Sequence, residues 1–136
     1  CGRRDCWEAH ASEKAILAQY RSSSGNSANG SIDIEHLIGL AKNGEDNALR
    51  VLKSAAKSLG IGISNLIIGF SPQAVIVSGS IVKAWDLIKE DIQILGQRSI
   101  RQELSNTSII ASTLGDQPTV LGSISLVLAR KFGSAN

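Results

Sequence analysis

The chain has 136 residues, 43% of them hydrophobic and 19% charged, a composition typical of one ordered globular domain rather than a disordered segment. Its 14 basic and 12 acidic residues are mixed along the sequence and leave a net charge of +2, which does not indicate the clustered basic face of a nucleic-acid-binding domain. No apolar run reaches the ~18 residues of a membrane span and no signal-peptide pattern is present, so we expect a cytoplasmic protein without membrane contact.

The first half of the chain is predicted to be helical. Residues 8–20 have helical character, with Ser12 as the N-cap of the part that follows it. The polar stretch 22–31 predicts a loop. Apolar residues at helical spacing then predict one helix that ends at Asn43 and another that begins near Glu45. The second of these is expected to bury Ala48, Val51, Leu52, Ala55, Leu59, Ile63, Ile67 and Phe70.

Two glycines lie inside this second helix, at Gly60 and Gly62. Each lowers helix propensity by roughly 1 kcal/mol relative to alanine. A glycine retained at such a place permits the close approach of another backbone or of a ligand. We favour a tight helix crossing, and the ligand stays as the alternative.

The second half of the chain predicts an α/β unit. Pro72 ends the long helix, and the apolar run 74–77 predicts a strand of the buried type. A helix at about 83–97 and a strand at 107–113 follow, and a closing helix is predicted over 120–131. Strand, helix and strand in this order form a βαβ unit, whose two strands are parallel and whose crossover is right-handed.

A sheet of two strands is too small to be stable alone, so the predicted sheet is incomplete. The chain also contains no methionine. We therefore expect residues 1–136 to be one portion of a longer protein, with an N-terminal lobe and the missing strands before Cys1.

Cys1 and Cys6 are the chain's two cysteines, and four residues separate them. Two thiolates suit tetrahedral zinc, which then requires two further ligands. A disulfide is the alternative, but a reduced metal-binding pair is the expectation for a cytoplasmic protein. The spacing alone leaves open a third interpretation, two thiols with no shared role.

Two other places carry groups suited to binding a ligand. The carboxylate of Glu8, near a helix start, can accept hydrogen bonds from sugar hydroxyls, although most glutamates are simply solvated. The loop Ser78-Gly79-Ser80 follows a strand and opens a helix, which is where α/β proteins bind phosphorylated ligands. An ordinary strand-to-helix turn is the more common explanation of such a loop. No catalytic triad, metalloprotease motif or carboxylate pair is recognisable, so we assign no catalytic residue.

The segment from Cys1 to Ser12 resembles the hallmark of the ROK family, the repressors and sugar kinases of bacteria. The family pattern runs Cys-x-Cys-Gly-x-x-Gly-Cys-x-Glu, and this chain begins at its second cysteine. The resemblance continues in consistent order over nearly the whole chain. It is carried by Gly60, Gly62, Asn65 and Leu66 in the long helix, by residues 71–80 in a proline–strand–glycine segment, and by Leu114-Gly115-Asp116 and Leu121-Gly122-Ser123 in the closing turn and helix.

The resemblance implies an α/β fold, the C-terminal part of an actin-like (ribonuclease-H-like) ATPase domain, helix-rich and with an incomplete sheet. It implies that Cys1 and Cys6 are two of four ligands of a structural zinc, the others lying upstream. The zinc would order the loop that presents Glu8 to a sugar. In kinase members the loop Ser78-Gly79-Ser80 would face the nucleotide.

The chain departs from the family pattern at three places. Asp5 replaces a glycine in the cysteine loop, a position that needs a backbone conformation aspartate tolerates better than most residues. Ser78 and Ser80 stand where kinases usually carry glycines, and their side chains would crowd a phosphate or adenosine. These two serines weaken the nucleotide-binding interpretation.

The resemblance therefore leads to two functional hypotheses. In the first, the chain is the sugar-binding effector portion of a transcriptional regulator of carbohydrate metabolism, which binds a sugar or sugar phosphate and contacts DNA only through an upstream domain. In the alternative, it is the C-terminal lobe of an ATP- and Mg-dependent sugar kinase similar to glucokinase, which this portion alone cannot complete. A degenerate member with a structural or dimerising role is a third, plainer possibility. The resemblance also implies a homo-oligomer.

Overall fold

The computed structural model describes residues 6–25, 32–97, 107–115 and 118–133. These residues form six α-helices and two β-strands in the order α1 to α4, β1, α5, β2, α6, with a 3-10 turn at Ser80–Ala84 before α5. The helices are α1 (Glu8–Ala11), α2 (Glu13–Ser23), α3 (Ile34–Lys42), α4 (Asp46–Phe70), α5 (Trp85–Gln97) and α6 (Pro118–Phe132), and the strands are β1 (Ala74–Val77) and β2 (Ser108–Ala111).

The helix predicted over residues 8–20 is two helices that meet at Ser12. Ser12 is extended, with φ −74° and ψ 152°, and its hydroxyl accepts a hydrogen bond from the backbone N–H of Ala15 at 3.2 Å. The predicted N-cap is thus confirmed. Helix α2 continues to Ser23, beyond the predicted end, because the hydroxyls of Ser22 and Ser23 donate to carbonyls one turn earlier. Residues 26–31 of the predicted loop lie outside the described residues.

Helices α3 and α4 begin and end close to their predicted positions. Asp33 caps α3 by accepting the N–H of His36 at 2.8 Å. Glu45 caps α4 by accepting the N–H of Ala48 at 2.6 Å. Gly44, between the two helices, has φ +88°, a conformation that favours glycine. Local side chains therefore account for both helix starts, and the backbone conformation of Gly44 accounts for the turn between the helices.

Helix α4 is the central element of the core. Its buried face contains Ala48, Val51, Leu52, Ala55, Leu59, Ile63 and Ile67, as predicted. Phe70, predicted on the same face, is 78% exposed, so that part of the prediction is wrong. Phe70 lies in the last turn, at the edge of the apolar stripe, and the chain leaves the helix at the next residue in a left-handed conformation with φ +45°.

By length and composition alone, α4 is apolar enough to cross a membrane, with a mean hydropathy of 1.3 over an 18-residue window. This window is not an uninterrupted apolar run in the sequence, because polar residues of the exposed face interrupt it. Half of the window is buried inside the protein, where α4 packs against α2, α3 and α5. This packing is that of a core helix.

The predicted helix crossing occurs at Gly60, where α4 meets α5. A Cβ atom added at Gly60 would lie 2.8 Å from Cβ of Leu95 and 3.1 Å from the carbonyl oxygen of Ile92. Both atoms are close to or part of the α5 backbone, so neither moves easily. The absence of a side chain at Gly60 therefore lets the two helices approach.

Strands β1 and β2 are parallel, and α5 connects them, which confirms the predicted βαβ unit. Val75 pairs with Ile109 and Val77 with Ala111, and Val77 and Ile109 are buried on one face of the sheet. The other face is open within the described residues, and Ile76 on that face is 64% exposed. Strand β1 was predicted to be buried, and this holds for one face, because the described part of the chain supplies a covering layer on one side.

Helix α6 spans the predicted closing helix and begins at Pro118, a favourable first residue. None of its described residues is buried. Its exposed apolar side chains are Val120, Leu121, Ile124, Leu126, Val127, Leu128 and Phe132. Helix α6 therefore contributes little to the core of this chain.

Candidate functional site

Glu8 lies at the first position of α1 and is exposed. It lines an open cleft together with Cys6, Ser12 and Lys14, and the floor of the cleft is formed by Ala9, Ala15 and Ala18. Among the residues that the structure describes, Glu8 takes part in no ion pair. Its carboxylate can therefore accept hydrogen bonds from a ligand, beside a hydroxyl and an ammonium group.

The neighbouring residue, Trp7, points to a different part of the molecule. Its indole Nε1–H donates to the carbonyl oxygen of Ser58 in α4, at 2.7 Å. A Cβ atom added at Gly62 would lie 2.5 Å from Nε1 and 2.7 Å from Cε2 of the same ring. Trp7 thus lies against a part of α4 from which a side chain is missing, although the residue is 51% exposed.

Cys6 is disulfide-bonded, and Cys1, the chain's other cysteine, lies outside the described residues, as does Asp5. Zinc binds thiolates and not a disulfide, so the predicted zinc site requires the reduced pair. Within the described ranges, no group of three or more histidine, cysteine or acidic residues could hold a metal ion. A zinc ion held by Cys1 and Cys6 would need two further ligands, which the described residues do not bring together, and the zinc site stays a prediction.

The loop Ser78-Gly79-Ser80 follows β1, and Gly79 has φ +94°. The 3-10 turn at Ser80–Ala84 separates the loop from α5, so the α5 N-terminus does not adjoin the loop directly. The loop borders a small cleft whose other walls come from α1, α2 and α3. The residues lining this cleft are Ala11, Glu13, Ile16, Ile34, Ser78, Gly79, Ser80 and Ile81.

Glu13 places an acidic side chain at this second cleft, which the sequence did not predict. A carboxylate facing the loop repels the phosphate groups of a nucleotide. Lys83, which follows the loop, forms an ion pair with Glu35 of α3, with Nζ and Oε1 2.7 Å apart. Among the described residues, the loop thus has the carboxylate of Glu13 in its cleft and, just after it, a lysine paired with Glu35.

The structure brings the predicted residues into two neighbouring clefts on either side of the α1–α2 junction. Ser12 lines the cleft of Glu8, and Ala11 and Glu13 line the cleft of the loop. Sequence reasoning missed the contact of Trp7 with Ser58 and the place of Glu13. Gly62 was the one available signal for the Trp7 contact, because the glycine pair was predicted to admit a close neighbour.

Comparison with known proteins gives one family for this chain. The ROK family profile matches residues 1–130. The xylose repressors of Bacillus subtilis and Bacillus spizizenii are each 30% identical to the chain over 129 residues, which cover 94% of the chain and 32% of the repressor. The glucokinase of Thermotoga maritima is 28% identical over 144 residues, covering 98% of the chain and 45% of the kinase. The chain thus spans about a third to a half of the length of these curated relatives.

Solved structures share the fold. A ROK family transcriptional regulator, a homologue of the E. coli MLC protein, superposes with a TM-score of 0.74 at 23% identity, over 82% of this chain and 30% of that one. A ROK family glucokinase from Streptomyces griseus, in complex with glucose and AMPPNP, superposes with a TM-score of 0.78 at 24% identity, over 93% and 45%. These likenesses confirm the predicted fold class, a part of the actin-like architecture with an incomplete sheet.

Proposed function

The chain belongs to the ROK family, and from this premise we propose that it is the sugar-binding effector portion of a transcriptional regulator of carbohydrate metabolism. The observation that carries the sugar-binding part is the place of Glu8, which is exposed at the start of α1 and lines an open cleft with Ser12 and Lys14. A carboxylate, a hydroxyl and an ammonium group together offer both acceptors and donors for sugar hydroxyls. Glu8 is the residue that would contact the sugar.

Two observations favour a regulator over a kinase. The identity to the Bacillus xylose repressors, 30%, is somewhat higher than the 26–28% to the glucokinases, and the Caldicellulosiruptor xylose repressors, at 26–29%, overlap that range. The cleft beside Ser78-Gly79-Ser80 also carries the carboxylate of Glu13, which opposes the phosphates of ATP. In a regulator this loop has no nucleotide to bind, so neither the serines nor the acid conflicts with function.

The second candidate function is an ATP-dependent sugar kinase that phosphorylates a hexose. A match to the glucokinase of Thermotoga maritima that covers 98% of the chain, at 28% identity, supports it. In this case Ser78, Gly79 and Ser80 would border the nucleotide, with Mg bound to its phosphates. The described residues offer no catalytic base that we can assign, so the rest of the kinase would supply it.

We also propose a structural zinc beside the sugar site. Cys1 and Cys6 in their thiolate form would supply two soft ligands, and residues outside this chain would supply the other two. Such an ion would hold the start of the chain in one conformation and so support Glu8. Its role would be structural and not chemical.

The whole protein would be cytoplasmic, would contact DNA through a part outside this chain, and would form a homo-oligomer. The small net charge of +2 supports placing the DNA contact elsewhere. Apolar side chains are exposed on α6 and on the open face of the sheet, which supports the proposal that another protein surface packs against them. The remainder of the protein or a second copy would provide that surface.

The test uses the full-length protein with D-xylose and D-glucose as probes. Isothermal titration calorimetry is expected to detect binding of at least one sugar. That sugar is expected to change the affinity of the protein for the DNA that lies upstream of its own gene. A coupled assay with ATP and the same sugar is expected to show no phosphorylation. ATP-dependent sugar phosphate formation would replace the regulator with the kinase as the function of the protein.

A further inference from the structure

Helix α1 carries the proposed sugar-binding residue and packs against the core through one partly buried side chain, that of Ala11. It consists of four residues, and none of the four, all of them described, is buried. Helices of fewer than ~12 residues are not stable in water without tertiary contacts. The position of Glu8 must therefore depend on contacts that fix α1 to the rest of the molecule.

Trp7 supplies such a contact from the residue directly before α1. Its backbone carbonyl accepts the N–H groups of His10 and Ala11, both at 3.0 Å, and so begins the turn. Its indole N–H donates to the carbonyl oxygen of Ser58, 51 residues away in α4, at 2.7 Å. One residue thus starts the helix and also joins it to the longest helix of the core.

Gly62 makes this contact possible. The carbonyl of Ser58 and residue 62 are one turn apart on α4, so a side chain at 62 would cover the acceptor. The Cβ of an alanine there would be 2.5 Å from Nε1 of Trp7, a separation that real Cβ atoms do not have. The indole is the movable end of a side chain, so the indole would be displaced and α4 would stay in place.

We propose that Trp7 is a positioning residue for the sugar site, because it fixes the start of α1 to α4 and so holds Glu8 in place in its cleft. This inference rests on the proposed sugar contact of Glu8. Consecutive Cα atoms are about 3.8 Å apart, so a shift of the Trp7 anchor moves the Glu8 carboxylate. Binding sites tolerate displacements of only about 0.5 Å before hydrogen bonds to the ligand weaken.

The variants that test this role are Trp7→Phe, Trp7→Ala and Gly62→Ala in the full-length protein. Trp7→Phe removes the N–H donor, and Ser58 keeps the helical N–H of residue 62 as its partner. Gly62→Ala displaces the indole while adding a residue that favours helix. Gly69→Ala is the matched control, because a Cβ atom at Gly69 in the same helix meets nothing within 4 Å.

Affinity for D-xylose and D-glucose is measured by calorimetry, and melting temperature is measured in parallel. We expect a 3- to 10-fold weaker affinity in Trp7→Phe and Gly62→Ala, the range that corresponds to losing one hydrogen bond, and a larger loss in Trp7→Ala. The melting temperature of Gly62→Ala is expected to equal or exceed that of the wild type. A purely structural contact would instead change affinity and melting temperature together. Hydrogen exchange of residues 6–12 is expected to be faster in Gly62→Ala and unchanged in Gly69→Ala.

Glu8→Ala separates the failure of this inference from that of the proposed function. Weaker sugar binding in Glu8→Ala, with wild-type affinity in Trp7→Phe and Gly62→Ala, would overturn the positioning role and leave the sugar site standing. Wild-type affinity in Glu8→Ala would overturn the sugar site, and the positioning role with it. A wild-type protein that binds neither probe would also overturn both.

Discussion

At the residue scale, Glu8 and the two residues before it have different surroundings. Glu8 faces an open cleft, Trp7 faces α4, and Cys6 is covalently bonded. Side chains of successive residues in a helical turn point in directions about 100° apart. The side chains of Trp7 and Glu8 can therefore reach different parts of the molecule without competing for one surface.

We expect Glu8→Ala in the full-length protein to abolish the response to sugar with little loss of stability. The carboxylate is exposed and outside the described ion pairs, and surface substitutions of this kind usually change the free energy of unfolding by less than about 0.5 kcal/mol. Calorimetry with the sugar and thermal unfolding are the two measurements.

Glu13→Gln is the matched control, since Glu13 is also exposed at the start of a helix but lines the other cleft. Its sugar affinity is expected to equal that of the wild type. An equal loss of affinity in both variants would show that the effect comes from charge near the α1–α2 junction and not from contact with Glu8.

The α4–α5 crossing decides stability at the scale of elements. Gly60 lies where the two helices are closest, and Ile63 and Gly96 lie in the same contact region. Ile88 and Ile92 of α5 are fully buried beside it. Because protein interiors are packed as densely as organic crystals, this contact has no spare volume for another methyl group.

We expect Gly60→Ala to destabilise the full-length protein by up to about 2 kcal/mol. Overpacking a core typically costs about 1–3 kcal/mol, and the gain in helix propensity of roughly 1 kcal/mol offsets part of that loss. Gly69→Ala, on the exposed side of the same helix, is expected to stabilise by up to about 1 kcal/mol. Urea unfolding of both variants measures the difference, and equal stability of the two would contradict a tight crossing at Gly60.

At the scale of the whole molecule, this chain matches one part of the architecture of its relatives. It spans 32% of the xylose repressors and 45% of a glucokinase that it resembles. The open face of the sheet carries the exposed apolar side chains of Ile76 and Ile110, and α6 carries several exposed apolar side chains of its own. Apolar surface of this extent is normally covered in a folded protein.

The number of zinc ligands in the chain determines how tightly it should bind zinc. We expect the 136-residue chain, kept under reducing conditions, to bind zinc weakly, because Cys1 and Cys6 supply two of the four ligands of a structural site. Metal analysis after gel filtration is expected to give much less than one zinc per chain. Stoichiometric, tightly held zinc would show that this chain or a neighbouring copy provides the remaining ligands.

The helices and the Ser12 cap follow from the sequence because they depend on residues close together in the chain, whereas the βαβ unit follows from the order of its elements, since its strands pair distant residues such as Ala74 and Ser108. Ser12 caps α2 through a residue three positions away, and Gly44 makes the turn between α3 and α4 through its own backbone. The spacing of apolar residues similarly predicts the buried face of α4. In the last turn of that helix the pattern was misleading, since Phe70 is exposed where the chain turns toward β1.

By itself, the sequence determined the local elements, the place of Glu8 at a helix start, and a resemblance that identified the family. The tertiary structure alone decided that Trp7 reaches Ser58, that Glu13 faces the loop at Ser78–Ser80, and that the opposite face of the sheet is open. The physical reason is the range of the interactions. Caps and helical periodicity act over about four residues. The contact of Trp7 with Ser58 and the cleft shared by Glu13 and the loop instead join residues 51 or more positions apart, which the path of the folded backbone brings together.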